Sequence, residues 1–294
     1  MATSLHLTPT AATDGFLQAY SAATRAKRAR SLAFAGIVLA LALLSGWVAE
    51  VDLVTFVRKF GAFTSYFDRI FTLDTGQRVW TDPAEWFWGL GKWLRHLADT
   101  LLIAYLGTLL GAVGGFCLCF TAARNFAPSP WAAALAKRWL EFCRTVPEIV
   151  FALIFVIAFG LGPVPGVLAI AIHTMGALGK LFSEVVENVD MKPVEGVVAT
   201  GGRWMDAVRF AALPQVLSNF ASYALLRFEI NVRGAAVMGF VGAGGIGQEL
   251  IEAIRKFYYS DVSAILLLIV FTVMLIDLGT ERLRHALIGR EQTA

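Results

Sequence analysis

Six apolar stretches of about bilayer-spanning length decide most of what this chain can fold into. They are Ser31–Ala49, Leu97–Thr121, the run that starts at Pro147 and Glu148 and ends at Gly162-Pro163-Val164-Pro165, Gly166–Val186, Gln215–Phe240 and Asp261–Leu278. A hydrocarbon core about 30 Å thick takes about 20 residues of helix. With no water at that depth, each backbone N–H and C=O needs a partner inside its own segment, which a helix supplies. Composition agrees. Of the 294 residues 16% are charged and 57% hydrophobic, against about 25% charged in an ordinary soluble domain. The chain reads as an all-α membrane protein with about six transmembrane helices set in a lipid bilayer. Its net charge of +3 is too small to point to nucleic acid.

Basic flanks orient the spans. Arg25, Lys27, Arg28 and Arg30 precede the first apolar run, and Arg282, Arg284 and Arg290 follow the last. Positive residues stay inside, so both termini are expected in the cytoplasm. Residues 1–30 read as a cytoplasmic tail and 31–49 as the first transmembrane helix. A cleaved signal peptide fits less well, because the polar lead is long and no clean A-x-A site precedes Glu50. Trp131–Arg144, with Lys137, Arg138, Glu141 and Arg144, reads as a short cytoplasmic helix.

Residues 50–96 break the pattern. Phe56, Val57, Phe60, Phe63, Phe67, Ile70 and Phe71 recur at helical spacing among Arg58, Lys59, Asp68 and Arg69, and Trp80, Trp86, Phe87, Trp88 and Trp93 follow. Amphipathic helices in the outer interface, with aromatic rings at headgroup level, would give this pattern. A small cap packed on the spans would give it equally well.

A polar island separates two of the apolar runs: Glu195-Gly-Val-Val-Ala-Thr-Gly-Gly-Arg-Trp-Met-Asp-Ala-Val-Arg-Phe-Ala-Ala-Leu213-Pro214. It follows Lys192-Pro193, which favour a turn and a fresh helix start. Val197, Val198, Met205, Val208 and Phe210 offer apolar teeth, Arg203, Asp206 and Arg209 stay polar, and Gly201-Gly202 bends the backbone cheaply. A short helix lying across the membrane surface and plugging into a soluble partner fits these residues, and so does an ordinary cytoplasmic loop.

Charges inside the spans are the candidates for chemistry. Arg227, Glu229, Asn231 and Arg233 lie in the fifth, and His173, Lys180, Glu184 and Glu187 in the fourth. An ionisable group there costs about 2.5–3.5 kcal/mol on insertion scales, so it is expected to face protein or water. Glu229 with Arg233 and Lys180 with Glu184 are four apart and can pair along one helix face. Beside that structural role stands a water-lined pathway whose arginines suit an anion, because a planar guanidinium donates paired hydrogen bonds. His173 near mid-span fits a hydrogen-bonded packing residue or a pathway residue. Glu148, directly after Pro147, suits the positive end of a helix dipole and is expected to cap.

Several motifs lead nowhere. Gly242-Ala-Gly244-Gly245-Ile-Gly247 matches G-x-G-x-x-G, but a dinucleotide site needs a strand before it and a βαβ unit around it. A break or hinge at the outer end of the fifth span suits these glycines better. Gly176-Ala-Leu-Gly179-Lys180 lacks the first P-loop glycine, since position 174 is Thr, and Leu181 stands where Ser or Thr should follow, so no ATP site of its own is expected. Cys117, Cys119 and Cys143 make an odd set without a disulfide framework, and a lone C-x-C in an apolar run is a poor metal site.

Glu195, Gly201 six residues later and Leu213-Pro214 after a fixed gap resemble the coupling loop of ABC importer permeases, whose pattern reads E-A-A-x-x-x-G-x9-I-x-L-P. Gly196 and Val197 stand in for the alanines and Ala211 for the isoleucine. The match narrows with Arg144-Thr-Val-Pro147-Glu148, Gly160-Leu-Gly162-Pro163, His173-Thr174, Gly179-Lys180-Leu-Phe-Ser-Glu184 and Pro193-Val-Glu195-Gly196. Pro214-Gln215-Val216, Arg227-Phe-Glu229-x-Asn231-Val-Arg233 and Val241-Gly-Ala-Gly-Gly-Ile-Gly247 narrow it further. Together they resemble the permease subunit of phosphonate and phosphite importers, in the MetI-like type I ABC permease family. The resemblance covers about residues 97–285.

It implies a type I importer transmembrane domain over 97–285 with a cytoplasmic coupling helix in 187–214, and a tail at 286–294. It implies coupling residues Glu195, Gly196, Ala199, Gly201, Asp206, Leu213 and Pro214. It places a substrate-anion pathway at Arg227, Glu229, Asn231, Arg233 and His173, and a gate or hinge at Gly242, Gly244, Gly245 and Gly247. It implies no catalytic residue, metal or cofactor on this chain, with ATP and magnesium on a partner ATPase. The implied partners are a second permease copy in a homodimer, two ATP-hydrolysing subunits and a periplasmic binding protein, at the bacterial inner membrane. The competing class is an ion-coupled secondary transporter of small anions.

Overall fold

The computed structural model describes residues 11–291. Its contacts divide the chain into two units, one up to Ser65 and one from Tyr66 onward.

The first unit holds α1 (Ala11–Val48) and most of α2 (Leu53–Ile70). No proline or turn sequence interrupts 11–48, so the expected tail and first span join into one 38-residue helix. Its Gln18–Val48 portion is long and apolar enough to cross a membrane. Glu50, at φ +54°, ends it. Asp52 then opens α2, accepting the Thr55 N–H at 2.9 Å. Phe56, Val57, Phe60 and Phe63 on α2 are exposed, as an amphipathic helix would leave them.

In the second unit a turn closed by the Thr72–Arg78 bridge leads to α3 (Pro83–Trp86), capped by Asp82. Helix α4 (Leu90–Ala122) starts at Leu90 rather than Leu97. Trp93 is buried, Trp86 Nε1 donates to Ser263 Oγ at 3.0 Å, and Trp88 Nε1 donates to Asp261 Oδ1 at 2.9 Å. Within 79–93, Val79 and Trp93 are buried while Trp80 and Trp88 are exposed.

Helix α5 (Pro130–Thr145) is capped by Ser129, and α6 (Glu148–Phe159) meets it at an 84° corner. Pro147 makes that corner, since it cannot donate and disfavours helix at Val146. The expected short cytoplasmic helix and the third span thus form one broken unit. Helix α7 (Pro163–Glu187) begins at Pro163, where the missing N–H costs nothing, rather than at Gly166. Two short helices follow, α8 (Met191–Ala199) and α9 (Trp204–Ala207). A π-helical turn over Val208–Ala212 then widens the backbone, with Leu213 N–H reaching Val208 O, to admit the Pro214 ring. Helix α10 (Leu213–Met238) breaks at a glycine turn and bends 46° into α11 (Ile246–Lys256). Helix α12 (Tyr259–Glu291) runs well past Leu278. Four helices can cross a membrane alone, and the two bent pairs bring the total to six among the described residues.

Helices α4, α7 and α10 form the core. Their approach is closest along Gly107, Gly111 and Gly115 of α4. A Cβ on Gly107 would meet Ile170 Cγ2 at 2.6 Å, one on Gly111 would meet Thr174 Cβ at 2.6 Å, and one on Gly115 would meet Gly179 N at 2.8 Å. This is the small-xxx-small packing that membrane helices use in place of hydrophobic collapse. Cys119 is buried on the same helix. Cys117 is exposed, because residues two apart point to different faces.

Candidate functional site

The 191–214 loop is pinned at both ends and open in the middle. Asp190 caps α8 through the Lys192 N–H at 3.0 Å. The Gln215 amide brackets Asp190, accepting its N–H at 2.9 Å and donating to its carbonyl at 3.2 Å. Trp204 Nε1 donates to Phe126 O at 2.9 Å, and Asp206 accepts the Arg203 N–H at 2.9 Å. Beneath the loop, Val194, Ala207, Val208, Ala211 and Ala212 join a core with Phe120, Phe182 and Val186. The expected teeth therefore divide. Val208 faces inward and Val197 is half-buried against that core, while Val198, Met205 and Phe210 are exposed. Glu195, Gly196 and Ala199 are exposed on α8, and Gly201, at φ +86°, makes the exposed turn that follows. Asp206 and Leu213 are half-buried, and Pro214 is exposed.

The fourth- and fifth-span charges also divide. Asn231 is 0% exposed and donates through Nδ2 to Thr108 Oγ1 at 2.8 Å and Thr174 Oγ1 at 2.9 Å, stapling α10 to α4 and α7. Arg233 pairs with Glu229 at the expected four-residue spacing, and Lys180 does so with Glu184 at 3.0 Å. His173 and Arg227 come together: Arg227 Nη2 lies 2.7 Å from His173 Nδ1, and His173 Nε2 lies 3.2 Å from Arg144 O. Arginine has no acceptor, so Nδ1 carries the lone pair and Nε2 the proton. Glu148 Oε2 stands 3.6 Å from the same Nδ1. Its Oε1 fits the space left by Gly234, where a Cβ would lie 2.5 Å away.

Glu148, expected to cap, makes no capping hydrogen bond in α6; its place beside His173 is what sequence reasoning missed. The available signal was an ionisable residue directly after a proline in an apolar run, the position where a chain turns and re-enters. Glu187, singled out as a fourth-span charge, ties three segments by accepting from Lys137 Nζ at 2.8 Å and from the Arg124 N–H at 3.0 Å, partners that spacing along α7 does not show.

The glycine segment is a packed turn. Gly242, Gly244 and Gly245 have φ of +81°, +84° and +79°, the left-handed region that favours glycine. Gly162 N–H donates to Gly242 O at 3.0 Å, and the buried Ile246 N–H donates to Thr100 Oγ1 at 2.8 Å. Gly247 is buried against Ala236. The turns before α7 and before α11 are therefore tied to each other and to α4.

Residues 107–291 match the family model described as "Binding-protein-dependent transport system inner membrane component". The phosphite transport system permease protein PtxC of Stutzerimonas stutzeri is 40% identical over 249 residues, covering 84% of this chain and 86% of that protein. The putative cryptic phosphonate transport system permease protein PhnE2 of Escherichia coli K12 is 50% identical over 117 residues, covering 40% of this chain and 96% of that protein. Among solved structures, the inward-facing MetNI methionine ABC transporter matches with a TM-score of 0.59 at 21% identity, covering 70% of this chain and 98% of that one. At that identity the likeness speaks for the fold. Together with the match across the core and glycine turn, these relationships show that the chain belongs to the binding-protein-dependent inner membrane components and is a multi-pass permease subunit of an ABC importer, with ATP hydrolysis residing in a separate subunit.

Proposed function

We propose that this permease carries a phosphorus oxyanion, a phosphonate or phosphite, across the bacterial inner membrane, past Arg227 and His173. The observation that carries the reading is Arg227 itself, whose Nε is buried without a partner while Nη2 leans on His173. A guanidinium with unspent donors inside a span suits a tetrahedral oxyanion. The relatives named for phosphite and phosphonate transport support the same substrate class. Helix lengths give support too. At 1.5 Å per residue, Glu148, His173 and Arg227 each lie about 15–18 Å along their helices from the glycine turn. That is about half of a 30 Å hydrocarbon core. Asn231 holds the helices beside this point, Glu229 steadies Arg233 near the path, and Gly242, Gly244, Gly245 and Gly247 form the bend that the gate uses.

The importer works with an ATPase and a substrate-binding protein. In our reading two copies of this chain pair, both termini face the cytoplasm, and ATP and magnesium sit on the partner ATPase. The 195–214 loop transmits ATPase closure. Glu195, Gly196, Ala199 and Gly201 face the ATPase with Val198, Met205 and Phe210, while Asp206, Leu213 and Pro214 hold the loop's return into α10. Weak contacts at Arg227 let the anion leave.

The test is uptake by the complete transporter in proteoliposomes, with binding protein loaded with 2-aminoethylphosphonate or phosphite. ATP-dependent uptake of one of them, lost in Arg227→Gln at normal abundance, is expected. Transport by this chain alone would return the function to an ion-coupled secondary transporter.

A further inference from the structure

Three side chains from three helices meet at His173, and their hydrogen bonding is incomplete. Nδ1 of His173 is the acceptor for Arg227, so the imidazole is neutral. Glu148 accepts no hydrogen bond among the described residues, although its Oε2 lies 3.6 Å from that nitrogen. Arg227 Nε has no partner. One proton on Nδ1 would rearrange all three. It would end the Arg227 contact, free the guanidinium and give Glu148 an N–H to face.

Among the described residues the other carboxylates of the neighbouring helices are already paired, Glu229 on α10 with Arg233 and Glu184 on α7 with Lys180. From α5 comes Arg144, whose carbonyl holds Nε2. From α6 comes Glu148 and from α10 Arg227. On α7 itself the nearest charge is Lys180, paired with Glu184. Helix α4 carries no charge between Asp99 and Arg124.

We propose that His173 takes a proton from the passing anion, and that the cluster thereby selects oxyanions that still carry a transferable proton. This rests on the reading that Arg227 lies on the anion's path. A phosphonate, phosphite or phosphate monoanion has a P–OH that ionises near neutrality. Sulfate has none at that pH. In the step, the O–H bond of P–OH breaks, its electron pair stays on oxygen and the proton goes to Nδ1. The Nη2–H···Nδ1 hydrogen bond is lost, and the freed guanidinium donates to the new P–O⁻. Total charge is unchanged: a monoanion beside a neutral imidazole becomes a dianion between two cations, with Glu148 balancing the imidazolium. On release the proton returns to the phosphorus oxyanion, so none is consumed. Glu148 is a positioning residue that keeps the protonated ring in place.

The experiment uses the complete transporter in nanodiscs, with ¹⁵N-histidine in this chain, near pH 7. The His173 signal is assigned by its loss in His173→Gln. Without anion a neutral ring protonated on Nε2 is expected. Saturating methylphosphonate should give imidazolium. Sulfate, and the methyl ester of methylphosphonate (a monoanion with no second proton), should leave the ring neutral. A ring that stays neutral with methylphosphonate, or that charges equally with the ester, overturns the proposal. Uptake gives a second readout. His173→Gln keeps an acceptor for Arg227 but takes no proton. Its uptake should fall about tenfold, the scale of one lost charge-assisted hydrogen bond. Its pH dependence should be flat over about pH 6–8, where the unaltered transporter declines as the P–OH is lost. Lost uptake in Arg227→Gln alongside a ring that stays neutral overturns the proton step alone. Full uptake in Arg227→Gln overturns the pathway reading beneath it.

Discussion

Gly115→Ala should destabilise the chain while Gly279→Ala stabilises it, although both replace a glycine inside a long helix. The difference comes from what the new methyl group meets. At Gly115 it would sit 2.8 Å from Gly179 N and 3.2 Å from Gly179 Cα, where ordinary contact begins at 3.4 Å. The shortfall is about 0.6 Å, and the obstacle is backbone, so α4 and α7 must separate. Such overpacking costs about 1–3 kcal/mol. Helix propensity gives back about 0.8–1.0 kcal/mol. The net is a loss of up to about 2 kcal/mol. At Gly279 nothing lies within 4 Å, so only the propensity gain of about 0.8–1.0 kcal/mol remains. The chain carries its own reporters, because Cys119 and Cys143 are buried and Cys117 is exposed. With Cys117→Ser as background, a thiol-reactive dye reads opening of the α4–α5–α7 core on heating in detergent. At about 2–4 °C per kcal/mol, the two variants should melt several degrees apart, on opposite sides of the parent. Equal shifts in the same direction would refute backbone contact at the glycine stripe.

Thr100→Val removes the acceptor for the buried Ile246 N–H and should cost about 1–3 kcal/mol, read in the same melt. Asn231→Leu loses two interhelical hydrogen bonds, about 0.6–1.7 kcal/mol each. Asn231→Asp should be worse, since Thr108 already donates its proton to Ala104 O and has none to offer a carboxylate; a more stable Asp variant would refute that direction of bonding. Gly201→Ala strains a position at φ +86° by about 1 kcal/mol, and Gly201→Asn, which tolerates that region, should recover most of it. Glu195→Arg should leave abundance unchanged and abolish stimulation of the ATPase by loaded binding protein; retained stimulation would remove α8 from the coupling surface.

Much of this architecture is legible in the residues. The apolar runs mark the spans, Pro147 marks a helix start, and i,i+4 spacing marks the Glu229–Arg233 and Lys180–Glu184 pairs. What spacing along one helix cannot show is a partner on another. Asn231 reads as a pathway residue until Thr108 and Thr174 close around it. Glu148 reads as a cap until α7 brings His173 beside it. The stripe Gly107, Gly111, Gly115 stands in the sequence as G-x-x-x-G-x-x-x-G, but hydropathy weighs those glycines only as part of a span. Val208 and Val198 look alike as exposed teeth. Val208 lies in the π turn before Pro214, and a wider turn is invisible to a 3.6-residue period.

The glycine turn also sets an order of assembly. Helices α4 and α7 can pack as soon as both are in the bilayer. Thr100, however, receives the Ile246 N–H from 146 residues further along the chain. At about 5–20 residues per second of synthesis, that hydroxyl waits roughly 7–30 s. Gly162 waits similarly for Gly242. Until Gly242 arrives, the Gly162 N–H has water or a passing helper as its partner. From the end of α7 at Glu187 to Ile246 the nascent permease therefore spends about 3–12 s with α4 and α7 in place and its last knot untied, and that interval is when a membrane insertase or a quality-control protease would meet it.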